Sequence, residues 1–183
     1  MAIKTFSDAV ALPASDINTY LANSGLDYIK SQTVGSSVST VTVTGAFSTT
    51  WNDYRIIYSG GTGTASTDMQ LKLGASVTGY YGSLQFQSVT AGTVSAAGSN
   101  NGATFPWVGG ATAGQAIHAS FDLFSPFLSM YTKVRNGTYQ SGDNYGMVNG
   151  EHRVATSYTD FTLTVASGTM TGGTITVYGY RKG

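Results

Sequence analysis

The sequence predicts an all-β protein, an antiparallel and jelly-roll-like β-sandwich that follows a short N-terminal helix and arm. From Thr33 onward apolar and polar residues alternate with a period of two, which is typical of half-buried strands. Clusters of Gly, Ser, Asn and Asp interrupt these runs, so that roughly nine or ten short strands fit between them. Only one segment has helical spacing, which is too little helix for βαβ units.

That segment begins at Pro13, a residue suited to the first turn of a helix, and Gly25 is a natural stop. Between them Ile17, Tyr20 and Leu21 fall at i, i+3 and i+4 and form one apolar stripe. Because so short a helix is marginal alone in water, the stripe must pack on a partner surface. That surface is either the β domain of the same chain or another chain.

The β domain is predicted over residues 33–183, and residues 1–32 form the arm. In "AIHASFDLF" the apolar residues point inward, while His118, Ser120 and Asp122 point outward. The Gly-, Ala- and Asn-rich stretch from Val89 to Gly114 is predicted to be long loops. Alternation across all the runs predicts one core, made of Val41, Val43, Leu71, Leu73, Ile117, Phe121, Leu123, Phe161, Leu163, Ile175 and Val177.

Composition excludes several functions. The 183 residues favour one domain, and nine basic against nine acidic residues give a net charge of zero. A nucleic-acid binder needs a basic stripe, which is missing, and the polybasic route to a membrane is missing too. There is no cysteine for a disulfide or a thiolate metal site. No apolar run is long enough to span a membrane, and the N-terminus makes a poor secretory signal.

The sequence offers no catalytic constellation, and we predict a protein that is not an enzyme and has no metal or cofactor. His118, His152 and Asp122 would have to converge in space to bind a metal, but outward polar residues on strands are more often solvated or paired. The Gly-x-Ser-x-Gly elbow is absent. Asp143 and Asn144 fit a turn better than a calcium loop, and the Gly-rich stretches lack the Walker lysine.

Aromatic residues are numerous, with twelve Tyr, eight Phe and two Trp. Tyr80, Tyr81, Trp107 and Tyr145 lie beside glycines in turn-like surroundings. Rings in such settings serve either sugar-binding surfaces or protein interfaces. The favoured interpretation is that these rings cap sheet ends or pack between subunits, because aromatic residues dominate buried interfaces generally.

The N-terminal "KTFSDAVALPASDINTYLANSGL" resembles the leader of many tailed-bacteriophage virion proteins. The body resembles β-rich structural proteins of phages in "VTVTGAFSTTWNDYRIIYSGG", "LGASVTGYYGS", "DLFSPF" and "GGTITVYGYRKG". The positions that carry the leader pattern are Phe6, Asp8, Leu12, Ala14, Ser15, Asp16, Ile17, Asn18, Thr19, Tyr20 and Leu21.

This resemblance implies a non-enzymatic virion component, of the tail-fibre, minor-tail or capsid-decoration type, made in the host bacterial cytoplasm. The arm would attach it to other virion proteins of the head or tail through Ile17, Tyr20 and Leu21, and the chain would form a homo-oligomer, a trimer by resemblance. Sparse charge agrees with homo-oligomeric packing, because buried charges are costly. The alternative function is a carbohydrate-binding module for host-surface glycans that uses Tyr80, Tyr81, Trp107 and Tyr145. Neither function involves nucleic acid or membrane insertion.

Overall fold

The computed structural model describes residues 25–181 of the chain. The predicted helix from Pro13 to Asn23, with Ile17, Tyr20 and Leu21, lies outside the described residues. Within residues 25–181 the structure contains thirteen strands and no helix. The strands are β1 Leu26–Thr33, β2 Thr40–Val43, β3 Asp53–Gly63, β4 Thr67–Leu73, β5 Tyr80–Ser88, β6 Val94–Gly102, β7 Phe105–Ala111, β8 Ala116–Phe124, β9 Thr132–Ser141, β10 Asn144–His152, β11 Phe161–Val165, β12 Met170–Thr171 and β13 Thr174–Tyr180.

Strand β8 joins the parts of one antiparallel sheet. Along one edge it pairs with β3, which continues through β13 to β1. Its opposite edge is divided, since residues 117–119 pair with β7 and residues 121–124 pair with β9. From β7 the sheet continues through β4 and β11 to β2, and from β9 it continues through β10 and β5 to β6. The divided edge lets one strand serve two sheet directions.

Strands from different parts of the sheet contribute to one main buried core. In this core the ring centroid of Phe47 lies 4.8 Å from that of Tyr54 on β3 and 5.6 Å from that of Phe161 on β11. All eleven predicted core residues, from Val41 to Val177, belong to the buried cluster. The period-two alternation is therefore confirmed, and Phe121 is fully buried as predicted.

Two sequence-based boundaries differ from the structure. Residues 26–32, which the sequence assigns to the arm, belong to β1 and pair with β13. The predicted loops between Val89 and Gly114 are wrong, because this stretch contains β6 and β7. Gly109 and Gly110 lie in β7 where a Cβ atom would collide with the His118 and Gln140 carbonyl oxygens, so close strand approach requires glycine here.

Candidate functional site

The four candidate aromatics do not form one surface. Tyr80 and Tyr81 are consecutive in β5, so their side chains lie on opposite faces of the sheet. Tyr80 is fully buried: its ring stacks on His152 at 4.0 Å, and its hydroxyl accepts a 2.8 Å hydrogen bond from the Leu73 N–H. Tyr80 is thus a core residue, and its ring is not available for stacking on a sugar.

The other three rings occupy different surroundings. Tyr81 is half-buried on the outer face, where the Arg153 guanidinium lies 4.5 Å from its ring centroid. Trp107 packs against a small second cluster formed by Leu84, Tyr139 and Val148. Tyr145 is 47% exposed, and its hydroxyl accepts a 2.9 Å hydrogen bond from the Gln140 side chain. Of the four, only Tyr81 lines the groove described next.

Three adjoining clefts form one groove on the outer face of the sheet, across β8, β9, β10 and β5. The first, of about 310 Å³, is lined by Asp122, Arg135 and Asn149, and the second, of about 370 Å³, shares Asn149. The second and third clefts share Lys133 and Glu151. We call this continuous depression the outer-face groove.

Strand register explains why these side chains meet. Asp122 on β8 is paired with Arg135 on β9, which is paired with Asn149 on β10. One row further, Lys133 is paired with Glu151. Residues two apart in a strand share a face and lie about 7 Å apart, so Lys133 and Arg135 present two neighbouring cations to the groove.

A hydrogen-bonded ion network surrounds Asp122, which is only 2% exposed. Its Oδ1 accepts hydrogen bonds from the Arg55 Nε at 2.9 Å and the Tyr180 hydroxyl at 2.7 Å, and its Oδ2 accepts one from Arg135 at 3.0 Å. Burial by itself would raise the pKa of Asp122. The hydrogen bonds from Tyr180, Arg135 and Arg55 outweigh it and lower the pKa, so the carboxylate stays charged.

The groove carries a small excess of positive charge. Excluding Lys4, Lys182, Asp8 and Asp16, which lie outside residues 25–181, the chain has 9 − 2 = 7 basic and 9 − 2 = 7 acidic residues. The groove holds four of these basic and three of these acidic side chains, a formal charge of +1, which leaves −1 for the rest of the described chain. They are Arg55, Lys133, Arg135 and Arg153, with Asp53, Asp122 and Glu151.

His152 is a further buried ionisable residue, on the opposite face of the sheet from Asp122. Its Nε2 is 2.8 Å from the Tyr158 hydroxyl, and its Nδ1 is buried with no hydrogen-bond partner. Burial lowers the pKa of His152, so the ring is neutral near pH 7. Among residues 25–181 no three His, Asp or Glu side chains come together as a metal site.

Sequence reasoning named Asp122 only as a weak metal candidate and missed the cations around it. The available signal was charged or amide residues at alternate positions, 133 and 135 on one strand, 149 and 151 on the next, and 153 directly after it. This pattern places all five on one face, but only the strand register shows that the two runs are neighbours.

Comparison of the chain with protein-family models, curated proteins and solved structures finds no match. In the part of the chain that the structure describes, no helix has the length and apolar character needed to cross a membrane.

Proposed function

We propose that this protein is a non-enzymatic structural subunit of a bacteriophage virion, of the fibre, minor-tail or capsid-decoration type. Its antiparallel sheet would form a jelly-roll-like β-sandwich, and the subunit would assemble with copies of itself. The resemblance of its leader and body to virion proteins supports this function. The structural observation that carries it is an open, uncharged sheet edge at β6.

Strand β6 pairs with β5 along one side, and its other side has no partner strand among residues 25–181. Between Lys72 and Asp122 the sequence contains no Asp, Glu, Lys or Arg, so the whole β5–β6 hairpin is uncharged. Val89 and Val94 at its end are 65% and 75% exposed. Monomeric proteins usually protect such an edge with charges, proline or a bulge. The register of β6 against β5 shifts only between Ser99 and Gly102, and residues 94–99 pair with β5 without a bulge.

A second copy of this chain fits that edge well. An uncharged edge meets its own copy without like-charge repulsion, and the small side chains of Ser95, Ala96 and Ala97 allow close approach of two backbones. Two β6 edges facing each other would give a dimer, whereas the proposed trimer needs β6 to contact a different surface of the next copy. The solution mass separates these arrangements.

Ala96→Lys tests the edge directly, because Ala96 is an exposed residue of β6. We expect the wild-type chain to sediment as a trimer and the variant as a monomer that keeps the circular-dichroism spectrum of a folded β protein, whereas its unfolding temperature falls because subunit association no longer stabilises the folded state. Thr156→Lys, which adds the same charge at an exposed position between β10 and β11, is the matched control and should still assemble. A monomeric wild-type protein at micromolar concentration would overturn self-assembly, and a dimer would overturn the trimer.

Attachment to the virion is assigned to the N-terminal arm. Ile17, Tyr20 and Leu21 would each contribute roughly 1.5–3 kcal/mol when fully buried, before ordering costs are subtracted. Since β1 begins at Leu26, deletion of residues 1–24 leaves every described strand intact. We expect the truncated protein to fold and to be absent from purified virions that contain the full-length chain. Its presence there at wild-type level would contradict the role of the arm.

A second function, carbohydrate binding, is supported by the outer-face groove. The second cleft is lined by Tyr81, glycines and hydrophilic side chains, and no aliphatic side chain contributes to it. Such a surface suits a polyhydroxylated ligand better than an apolar one. A glycan array probed with the full-length protein tests this function, and the absence of any bound glycan would leave the structural role alone.

A further inference from the structure

The outer-face groove contains an arginine that is held in place before any ligand arrives. Arg135 donates a 3.0 Å hydrogen bond to the Asp122 carboxylate, and its guanidinium carbon lies 5.6 Å from the Phe124 ring centroid. These two contacts fix the guanidinium at its edge and at its face. A fixed arginine loses less conformational entropy when it binds an anion than a free side chain does.

Among the described residues, 25–181, most hydrogen-bond donors of Arg135 have no partner. A guanidinium has five N–H donors, and the contact with Asp122 uses one nitrogen of Arg135. The Arg135 side chain is 63% exposed, whereas that of Arg55, which shares the same carboxylate, is 38% exposed. Arg55 alone would balance the charge of Asp122, so the network carries one surplus positive charge, and it lies on the more exposed arginine.

The surroundings of Arg135 extend this positive site along the groove. Lys133 lies on the same face two residues earlier, and within the described part of the chain it takes part in no ion pair. Asn149, the strand partner of Arg135, is exposed and offers both an amide donor and an acceptor. At the far end of the second cleft, Arg153 lies over Tyr81 and 3.9 Å from Glu151.

We propose that the outer-face groove binds a saccharide that carries carboxylate groups, with Arg135 as the main anion-binding residue and Lys133 as the second. Planar carboxylates match the two-pronged donor geometry of arginine, and the Asn149 amide together with the Ser83 and Ser99 hydroxyls in the second cleft suits sugar hydroxyls. This inference rests on the carbohydrate-binding function proposed above, and it adds the charge class of the ligand and the residues that select it.

A purely structural network predicts a different behaviour. If Arg135 only ties β9 to β8, its removal lowers stability and changes binding of acidic and neutral sugars equally. If Arg135 binds a carboxylate, its removal weakens the binding of acidic sugars more than the binding of neutral sugars. The two roles are therefore distinguished by ligand charge and not by stability.

The experiment titrates the full-length protein by calorimetry with an α-1,4-linked tetramer of galacturonic acid and with the α-1,4-linked tetramer of galactose, in which a CH2OH group replaces each carboxylate. We expect the acidic tetramer to bind, and its affinity to fall as salt rises from about 50 to about 300 mM. In Arg135→Gln the affinity for this tetramer should fall roughly tenfold or more. Lys72→Gln on β4 removes the same charge outside the groove and should change affinity less than about twofold. Arg135→Lys keeps the charge without the planar fork and should bind with intermediate affinity.

Each contrary result has a distinct meaning. Equal binding of both tetramers, unaffected by Arg135→Gln, would overturn the carboxylate inference and leave the carbohydrate-binding function standing. If neither tetramer binds and the array shows no bound glycan, both the carboxylate inference and the carbohydrate-binding function are overturned. Equal losses in Lys72→Gln and Arg135→Gln would show non-specific charge attraction and overturn the assigned site. Circular dichroism of each variant checks folding, and if Arg135→Gln does not fold, Arg135→Lys and Lys133→Gln decide the result.

Discussion

Asp122 and His152 are both buried ionisable residues of the same sheet, yet Asp122 is charged and His152 is neutral. Asp122 lies on the outer side among three donors, from Arg55, Arg135 and Tyr180, and these hold it ionised. His152 lies among the rings of Tyr80, Phe105 and Tyr158, with one nitrogen unpartnered, and burial keeps it neutral. Burial alone does not decide protonation, because the hydrogen-bond partners set the outcome.

The two buried polar residues also have different structural roles. The Asp122 network faces a solvent-accessible groove and orients charged donors toward it. The His152 site is enclosed, has one hydrogen bond, and fills core volume between aromatic rings. The first arrangement has features of a binding surface, whereas the second serves packing.

Phe121→Ala should cause the largest loss of stability. Phe121 is the apolar neighbour of Asp122 on the opposite face of β8, so this loss is the reference for the Asp122 variant. Removal of the fully buried ring should lower the free energy of unfolding by about 3–5 kcal/mol, measured by urea denaturation. A loss below about 1 kcal/mol would contradict the placement of this ring in a tightly packed core.

Asp122→Ala should come next, with a loss of about 2–3 kcal/mol, because Arg55 and Arg135 lose their shared carboxylate. The loss stays below that of a fully buried ion pair, since both arginine side chains are partly exposed and regain water. Urea denaturation measures it, and Asp143→Ala, at an exposed turn acid, is the control that should change stability by much less.

The pH dependence of stability should show two separate windows. The pKa of His152 is lower in the folded state than its ordinary 6.5, so the unfolded state binds more protons, and stability falls as pH drops below 6.5. The pKa of Asp122 is lowered from 3.8, so its contribution is complete above 3.8 and is lost as pH falls below it. Urea midpoints measured from about pH 8 to about pH 3 follow both windows.

Two variants assign these windows. His152→Phe should remove the loss of stability below pH 6.5, and Asp122→Asn should flatten the part below 3.8. Persistence of the higher window in His152→Phe would show that another group causes it.

Tyr180→Phe should have the smallest effect, about 1–2 kcal/mol at neutral pH, because it removes one hydrogen bond to a charged acceptor and keeps the ring. It should also raise the pKa of Asp122, since the Tyr180 hydroxyl is one of the three groups that lower it. NMR titration of the Asp122 carboxyl carbon detects the shift, and an unchanged pKa would contradict this role of the hydroxyl.

Much of the fold could be predicted from alternation alone. Inward residues such as Ile117, Phe121 and Leu163 are all buried, because a half-buried strand must place alternate side chains in the core. Strand β6 escaped prediction because Ala, Gly, Ser and Asn have weak strand preference, and pairing with β5 supplies the order that its side chains do not. The distinction between Tyr80 and Tyr81 also follows from alternation, but only after the bounds of β5 are known.

The sequence by itself determined the all-β class, the core residues and the scarcity of charge, since these depend on local periodicity and composition. Only the tertiary structure decided that Asp122 is buried, that Arg55, Arg135 and Tyr180 converge on it, and that Lys133 and Asn149 line the same groove. These residues come from strands that are distant in the chain, and long-range pairing in an antiparallel sheet is set by register. A period of two indicates which face a side chain occupies, whereas the neighbours across that face depend on how the whole sheet assembles.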